Sequence, residues 1–251
     1  MRNRLFKYTG ILLFVFLSFS LDNSNLKISI FTIGDSTMAN KEKPEINPER
    51  GWCQMLQQFF NDSVEVKNHA LNGRSTKSFI DEDRWDVILD SLKPGDYVFI
   101  QFGHNDQKIK DPKRYTNPYT AYRRNLEKFV NETRKKGATP VLFSSIIRRK
   151  YNEYGALEDT HGAYPYITRQ VAKELNVPFI DLQLKTEDLV NSLGEEKSKE
   201  LYLWIEPNES EYCPEGKIDN THLSVKGGNE VARLAIEGIK ELNLSLVKYI
   251  K

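Results

Sequence analysis

Three short strings, spread along the length of the chain, hold residue types that together can cleave an ester. They are Gly34-Asp35-Ser36-Thr37, Gly103-His104-Asn105-Asp106 and Asp219-Asn220-Thr221-His222. A serine hydroxyl is a poor nucleophile until a base removes its proton. His222 is the candidate base for Ser36. Asp219, three residues earlier, is the candidate group that fixes the imidazole tautomer and stabilises the imidazolium formed during attack. Acyl transfer also needs donors where the tetrahedral oxyanion develops, each worth about 2.7–4 kcal/mol. The backbone N–H of Ser36, the N–H of Gly73 and the side-chain amide of Asn105 are the candidates, since glycine permits close backbone approach to a reacting atom. Read singly, Ser36 is a turn or helix-capping serine, Asp219 a turn aspartate and His222 a surface histidine at a helix start. Their joint occurrence, in this order, points to a serine esterase.

Such residues need elements that bring them to one place. Apolar runs predict strands at Lys27–Ile33, Val64–Asn68, Tyr97–Gln101, Pro140–Ser145 and Pro178–Asp181. Helical patterns lie between them at Gly51–Phe60, Trp85–Leu92, Tyr119–Lys136 and Tyr164–Leu175, with a last helix over about Lys226–Leu242 opened by His222-Leu223-Ser224. This alternation predicts an α/β fold, a parallel sheet of about five strands with helices on both faces. Ligands of such sheets bind beyond the strands' C-terminal ends. Ser36, Gly73, Asn105 and Ser145 all fall at or just past a predicted strand end, so they share one edge. A Ser36 turn with the next helix's N-terminus beneath it would add backbone donors. The charged stretch Leu182–Gly216 fits the alternation poorly and reads as helical or irregular cover.

Composition sets further bounds. A chain of 251 residues with net charge +1 suggests one α/β domain and gives no sign of a nucleic-acid partner. Arg2, Arg4 and Lys7 precede an apolar stretch from Ile11 to Phe19, followed by polar Asp22-Asn23-Ser24-Asn25. That is the layout of a secretory signal peptide over residues 1–21, leaving a single domain over 22–251. The expected location is therefore exported, periplasmic or extracellular, with no membrane partner in the mature form. An uncleaved anchor is the alternative, although the stretch is short of the ~20 residues a span needs. Cys53 and Cys213 could pair in an exported protein or remain separate thiols. Neither they nor the four histidines cluster as metal ligands do.

With these residues in view, the chain resembles the SGNH (GDSL-type) hydrolase superfamily, whose four blocks contribute Ser, Gly, Asn and His. More narrowly, it is similar to the rhamnogalacturonan acetylesterases of carbohydrate esterase family 12. Besides the three strings, the likeness rests on Gly51-Trp52, Asn72-Gly73-Arg74-Ser75 with Ser78-Phe79, and Lys93-Pro94-Gly95-Asp96-Tyr97 leading to Gln101-Phe102. His161-Gly162 with Tyr164-Pro165 continues it. The resemblance implies a three-layer α/β/α flavodoxin-like fold and cofactor- and metal-independent removal of acetyl groups from pectic backbone sugars. It also implies Ser36, Asp219 and His222 as triad, with Gly73 and Asn105 as oxyanion partners. Cys53 departs from the small residue, such as glycine, expected after Gly51-Trp52.

The expected partner is thus an acetylated polysaccharide. Rhamnogalacturonan is a polyanion, so basic groups at the groove would favour it. Arg74, Lys77 and Arg148-Arg149-Lys150 follow strand ends, and Arg74 and Arg148 are the candidate substrate contacts among them. His104 and His161 are candidate site-lining residues, or else histidines satisfied inside the fold. Trp85, Tyr115, Tyr164 and Trp204 are candidates for stacking on sugars, though packing is their commoner role. Two other readings compete: another acylhydrolase on the same scaffold, acting on acetylated xylan, a lipid or a thioester, and a carbohydrate-binding protein without chemistry. No long apolar lid segment supports a lipid substrate, and a binding protein has no use for an activated nucleophile.

Overall fold

Strand β1 (Ile28–Gly34) lies in the middle of a sheet and is buried on both faces, as its Ile-Ser-Ile-Phe-Thr-Ile run requires. In the computed structural model, which describes residues 27–251, it pairs in parallel with β2 (Val64–Asn68) on one side and β3 (Tyr97–Gln101) on the other. Strands β4 (Thr139–Phe143) and β5 (Phe179–Ile180) complete a five-stranded parallel sheet in the order β2-β1-β3-β4-β5. This is the flavodoxin-type order, and the winding direction reverses between β1 and β3. Sheets of this order place their ligand sites at that point, beyond the C-terminal ends of both strands. Those ends deliver Ser36 and Asn105.

Side chains alternate across each strand and so define two apolar layers. Phe31, Ile33, Val98, Ile100 and Leu142 face helices α1 (Thr76–Asp81), α2 (Arg84–Ser91), α3 (Arg123–Lys135) and α4 (Ala163–Glu174). On the other face Ile30, Phe99, Val141, Phe143 and Ile180 meet the 3₁₀ segment Trp52–Phe59, α5 (Leu182–Lys197) and α6 (Val225–Glu241). The three layers are those expected.

Several elements differ from expectation. Helix α1 is too short for a periodic signal; a capping box, in which Ser75 and Ser78 each bond the other's backbone N–H, starts it. The helix expected at Gly51–Phe60 is wound as 3₁₀, and the one expected from Tyr119 opens with a π turn, Pro118–Tyr122. The stretch read as helical or irregular cover contains all of α5 and also β6 (Tyr202–Ile205). Strand β6 pairs antiparallel with β7 (Lys217–Leu223), outside the main sheet, and Asp219 and His222 ride on β7. The signal-peptide reading of residues 1–21 lies outside the described residues. No helix among the described residues is long and apolar enough to cross a membrane.

Candidate active site

Ser36 sits on a turn held almost entirely by buried groups. Asp35, fully buried, accepts hydrogen bonds from the Thr37 N–H (2.9 Å) and Thr37 hydroxyl (2.8 Å). Burial raises the Asp35 pKa, and the two Thr37 bonds oppose that rise. The Gln101 amide donates to Thr37 Oγ1 at 2.8 Å, and Trp52 Nε1 donates to Gln101 Oε1 at 3.0 Å. The Trp52 N–H closes the circuit on the Thr37 carbonyl at 2.9 Å. A Cβ on Gly51 would come within 2.2 Å of the Ala39 carbonyl oxygen, so only glycine lets this segment lie against the turn. Gly51, Trp52 and Gln101 thereby acquire a shared physical role. No helix N-terminus underlies Ser36, contrary to expectation: Met38 and Ala39 close one turn on the Asp35 carbonyl, and the next helical segment begins at Trp52.

The hairpin brings the base from the opposite side. Tyr202 pairs with Leu223 and its neighbour Leu203 with Asp219, so Asn220, Thr221 and His222 bulge out of the ladder. Bulges near sites re-aim side chains, and here His222 Nε2 lies 2.9 Å from Ser36 Oγ. Its Nδ1 lies 2.7 Å from Asp219 Oδ2, while Asp219 Oδ1 accepts the N–H groups of Thr221 (2.8 Å) and His222 (3.0 Å). Partial burial alone would raise the Asp219 pKa. The side-chain and backbone bonds from His222 outweigh it and hold the carboxyl well below its usual range. Asn220 anchors the bulge: its Oδ1 accepts from Trp204 Nε1 (2.8 Å) and Arg149 Nη1 (3.2 Å).

The loops that carry Gly73 and Asn105 are tied to each other. Gly73 has φ +76°, a left-handed conformation suited to glycine, in the loop between β2 and α1. Asn105 is buried; its Nδ2 donates to the Arg74 carbonyl (3.0 Å), and its Oδ1 accepts from Arg114 Nη1 (3.3 Å). Fixing both ends of the amide leaves the second Nδ2 hydrogen with a set direction. Asp106 ties this loop to α1 by accepting from the Thr76 N–H (3.1 Å), and Tyr164 Oη donates to the Asp106 carbonyl (3.0 Å).

One residue that sequence reasoning missed joins these loops. Lys41 is buried, and its Nζ lies 2.6 Å from the Ser36 carbonyl, 2.7 Å from Asn72 Oδ1 and 2.8 Å from Glu49 Oε1. Burial lowers its pKa, and Glu49 opposes that. Glu49 in turn faces Lys217 (3.6 Å), which faces Asp219 (3.8 Å). A chain of charges thus runs from the Ser36 turn to the Asp219 carboxylate. In the sequence Lys41 is one lysine of a charged loop, with no signal to set it apart.

The candidate substrate residues separate into distinct groups. Arg74 pairs with Glu82 (3.0 Å), Lys77 with Asp81 and Lys150 with Glu158. Arg149 is buried against Trp204 and bonded to Ser198 and Asn220. Arg148 has no such carboxylate among the described residues, and donates to neutral oxygens of Thr160 and His104. His104 and His161 are buried edge to face, ring centroids 4.5 Å apart, and His161 also borders a cavity of about 170 Å³ with Asp159 and Gln183. His161 meets the Ile146 carbonyl (2.9 Å) and the Gln107 amide (3.1 Å), whereas the His104 ring nitrogens have no partner among the described residues. Burial, then Arg148, pushes His161 down to about 4. Trp85 and Tyr164 belong to the core, and Trp204 is covered by Arg149 and Lys199. Cys53, buried, and Cys213, in the hairpin loop, are separate free thiols. Among the described residues, no three His, Cys, Asp or Glu side chains group as metal ligands. A cavity of about 590 Å³ near Val177 and Phe179 lies at the other end of the sheet.

This geometry coincides with a family match. The model of the GDSL-like lipase/acylhydrolase family matches residues 32–227, a span that includes Ser36, Gly73, Asn105, Asp219 and His222. The chain belongs to that family. Like the GDSL-like relatives it matches, it is a carboxylic ester hydrolase. It is 45% identical to the rhamnogalacturonan acetylesterase RhgT of Bacillus subtilis over 223 residues, covering 89% of this chain and 94% of that one. It is 37% identical to the probable rhamnogalacturonan acetylesterase YesY of the same organism, over 88% and 96% of the two chains. Among solved structures, the fold matches the YxiM protein of Bacillus subtilis with a TM-score of 0.75 at 24% identity, covering 87% of this chain and 58% of that longer one. It also matches the acetylxylan esterase Axe2 of Geobacillus stearothermophilus, with a TM-score of 0.58 at 18% identity over 86% and 96%. At these identities the GDSL-like neighbours speak for the fold alone.

Proposed function

We propose that this GDSL-family hydrolase is an exported serine esterase that removes acetyl groups from pectic rhamnogalacturonan through an acyl-enzyme. The observation that carries the mechanism is the continuous line Ser36 Oγ–His222 Nε2 (2.9 Å) and His222 Nδ1–Asp219 Oδ2 (2.7 Å). Ser36 Oγ attacks the acetyl carbonyl carbon while His222 Nε2 takes its proton. Asp219 holds Nδ1–H and balances the imidazolium. The oxyanion is received by the N–H groups of Ser36 and Gly73 and by Asn105 Nδ2. Collapse expels the sugar alkoxide, which takes the proton from His222, and a water then repeats the sequence on the acyl-serine to release acetate. The 45% identity to a rhamnogalacturonan acetylesterase supports the polymer, and the layout of residues 1–21 supports export.

The test is acetate release from acetylated rhamnogalacturonan, acetylated xylan and an acylated glycerolipid. The reading expects the pectic polymer to be the best substrate and Ser36→Ala to abolish release. A better rate on xylan or lipid would overturn the substrate, and turnover by the Ser36→Ala variant would overturn the mechanism. Fractionating cells that express the chain with and without residues 1–21 tests export.

A further inference from the structure

Two guanidinium groups are hung on consecutive residues of the oxyanion loop, and a lysine side chain starts from the same loop. Arg148 Nη2 reaches the His104 carbonyl at 3.4 Å, and Arg114 Nη1 reaches Asn105 Oδ1 at 3.3 Å. The Lys108 backbone N–H donates to the Asn105 carbonyl at 3.1 Å, which fixes where its exposed side chain starts. Their charges are not equally spent. Arg114 is paired with Asp111. Arg148 meets only neutral oxygens among the described residues, and the Lys108 ammonium has no carboxylate within ion-pair distance there.

These cations feel one another and the catalytic groups. Partial burial, then Arg114 and Arg148, lowers the Lys108 pKa, against the pull of Asp111 and Asp35. Burial lowers the Arg148 pKa as well, with Asp35 and Asp219 opposing it. Holding an unpaired guanidinium half-buried beside a second unpaired cation costs free energy. An anion arriving from outside recovers that cost. An open cavity of about 450 Å³ lies over Ile109, which is 70% exposed; Lys108, Arg114 and the Arg114-paired Asp111 line it, and Arg148 stands outside it, on the His104 carbonyl of the same loop. A sugar has both parts needed to fill it, an apolar ring face for Ile109 and, in a uronate, a carboxylate for the cations.

We propose that Arg148 and Lys108, with the outer edge of Arg114, form a carboxylate-binding subsite that takes a uronate of the polymer beside the ester under attack. The inference rests on the polymer reading above and deepens it. The subsite selects acidic polysaccharides at the oxyanion loop, so the anion that binds there also sets the position of the scissile acetyl group. Arg74 has no part in it, since Glu82 already neutralises it.

The experiment measures inhibition of aryl acetate hydrolysis by rhamnogalacturonan oligosaccharides stripped of acetyl groups, and by the same oligosaccharides after reduction of their carboxylates to alcohols. The acidic set is expected to bind more tightly by about tenfold, the worth of a hydrogen-bonded charge pair. Arg148→Gln should remove most of that margin, and Lys108→Gln, an exposed partner, about threefold of it. Neither should weaken the reduced set comparably. Equal inhibition by the acidic and reduced sets, or variants that weaken both sets alike, would overturn the subsite. The wild-type comparison and the exposed Lys108 stand even where Arg148→Gln fails to fold. Failure of the polymer reading looks different: the enzyme would not deacetylate rhamnogalacturonan, whatever its preference for the acidic inhibitor. A polymer deacetylated normally alongside inhibitors bound without regard to charge would sink the subsite alone.

Discussion

The two halves of the proposed proton path are built differently. Ser36 is flanked by Asp35 at 0% exposure and Thr37 at 1%, on a turn bonded to buried Gln101 and Trp52. Asp219 and His222 have side chains 20% and 29% exposed, on a two-stranded hairpin whose neighbouring Ile218 is 70% exposed. An isolated two-stranded hairpin is at best marginally stable in water. This one depends on the Asn220 bonds and on the Arg50 N–H, which donates to the Leu223 carbonyl at 2.9 Å. Where attack geometry is decided, the core holds the atoms; where a proton is taken and returned, a few polar contacts suffice. The contrast predicts that changes at the turn register in global stability, and changes at the hairpin register in activity first.

Ser36→Ala is the largest expected effect and the sharpest exception to that rule. The hydroxyl meets His222 Nε2 and packs little, so aryl acetate turnover should fall by about 10⁴-fold or more while the thermal midpoint moves by only about 2 °C. A variant that keeps most of its turnover would remove the nucleophile. Lys41→Met should follow the rule for the turn. It strips the half-buried Glu49 of its nearer cation and frees the Ser36 and Asn72 loops, with an expected loss of about 3 kcal/mol in denaturant titrations. An unchanged unfolding midpoint would show that Lys217 alone can serve Glu49.

Acid should also be felt on the sheet-edge side. His161 is held at about 4 in the folded chain, whereas the unfolded chain titrates near the ordinary 6.5. Between those values the unfolded state takes up a proton that the folded state refuses. Stability present at pH 7 is therefore lost as the pH falls from about 6.5 to about 4, by up to about 3 kcal/mol from this group. Unfolding free energies measured across that window should flatten in His161→Gln; an identical slope would assign the acid loss to other groups. The smallest effect is expected from Asn220→Ala, which frees the bulge. Misplacing His222 by about 1 Å should cost roughly a hundredfold in kcat. Circular dichroism melting should place its global transition close to the wild type's, and a large drop would refute the hairpin's independence.

Legibility in the sequence followed the same division. Strands β2 and β3 are legible to the residue because Val64 and Val66 alternate with polar Glu65 and Lys67 in one, and a short apolar run ends at Gln101 in the other. Ser36, Asn105, Asp219 and His222 stand out as candidates because few residue types do the proposed chemistry, and the fold brings Ser36, His222 and Asp219 into one hydrogen-bonded line. The hairpin was not legible, since Lys217–Leu223 carries mostly polar residues and makes its turn over a charged loop. Neither was the difference between Arg74 and Arg148. A guanidinium's charge is useful only if nothing nearby has neutralised it, and Glu82, eight residues from Arg74, does so through the fold of α1. Lys41 and Lys108 were hidden for the same reason, because a lysine's burial and partners belong to tertiary structure.

The hydrogen bond between Ser36 and His222 joins residues 186 apart. During synthesis the proposed nucleophile leaves the ribosome early, and its proposed base follows only when nearly all of the chain has been made. Strand β7 must then be pinned by α6, whose Ser224 cap bonds the Glu200 carbonyl at 2.6 Å. No nascent or truncated chain that stops short of this point holds an activated serine. The first turnover therefore marks the docking of the last helix, and a simple ester assay can time the end of biosynthetic folding.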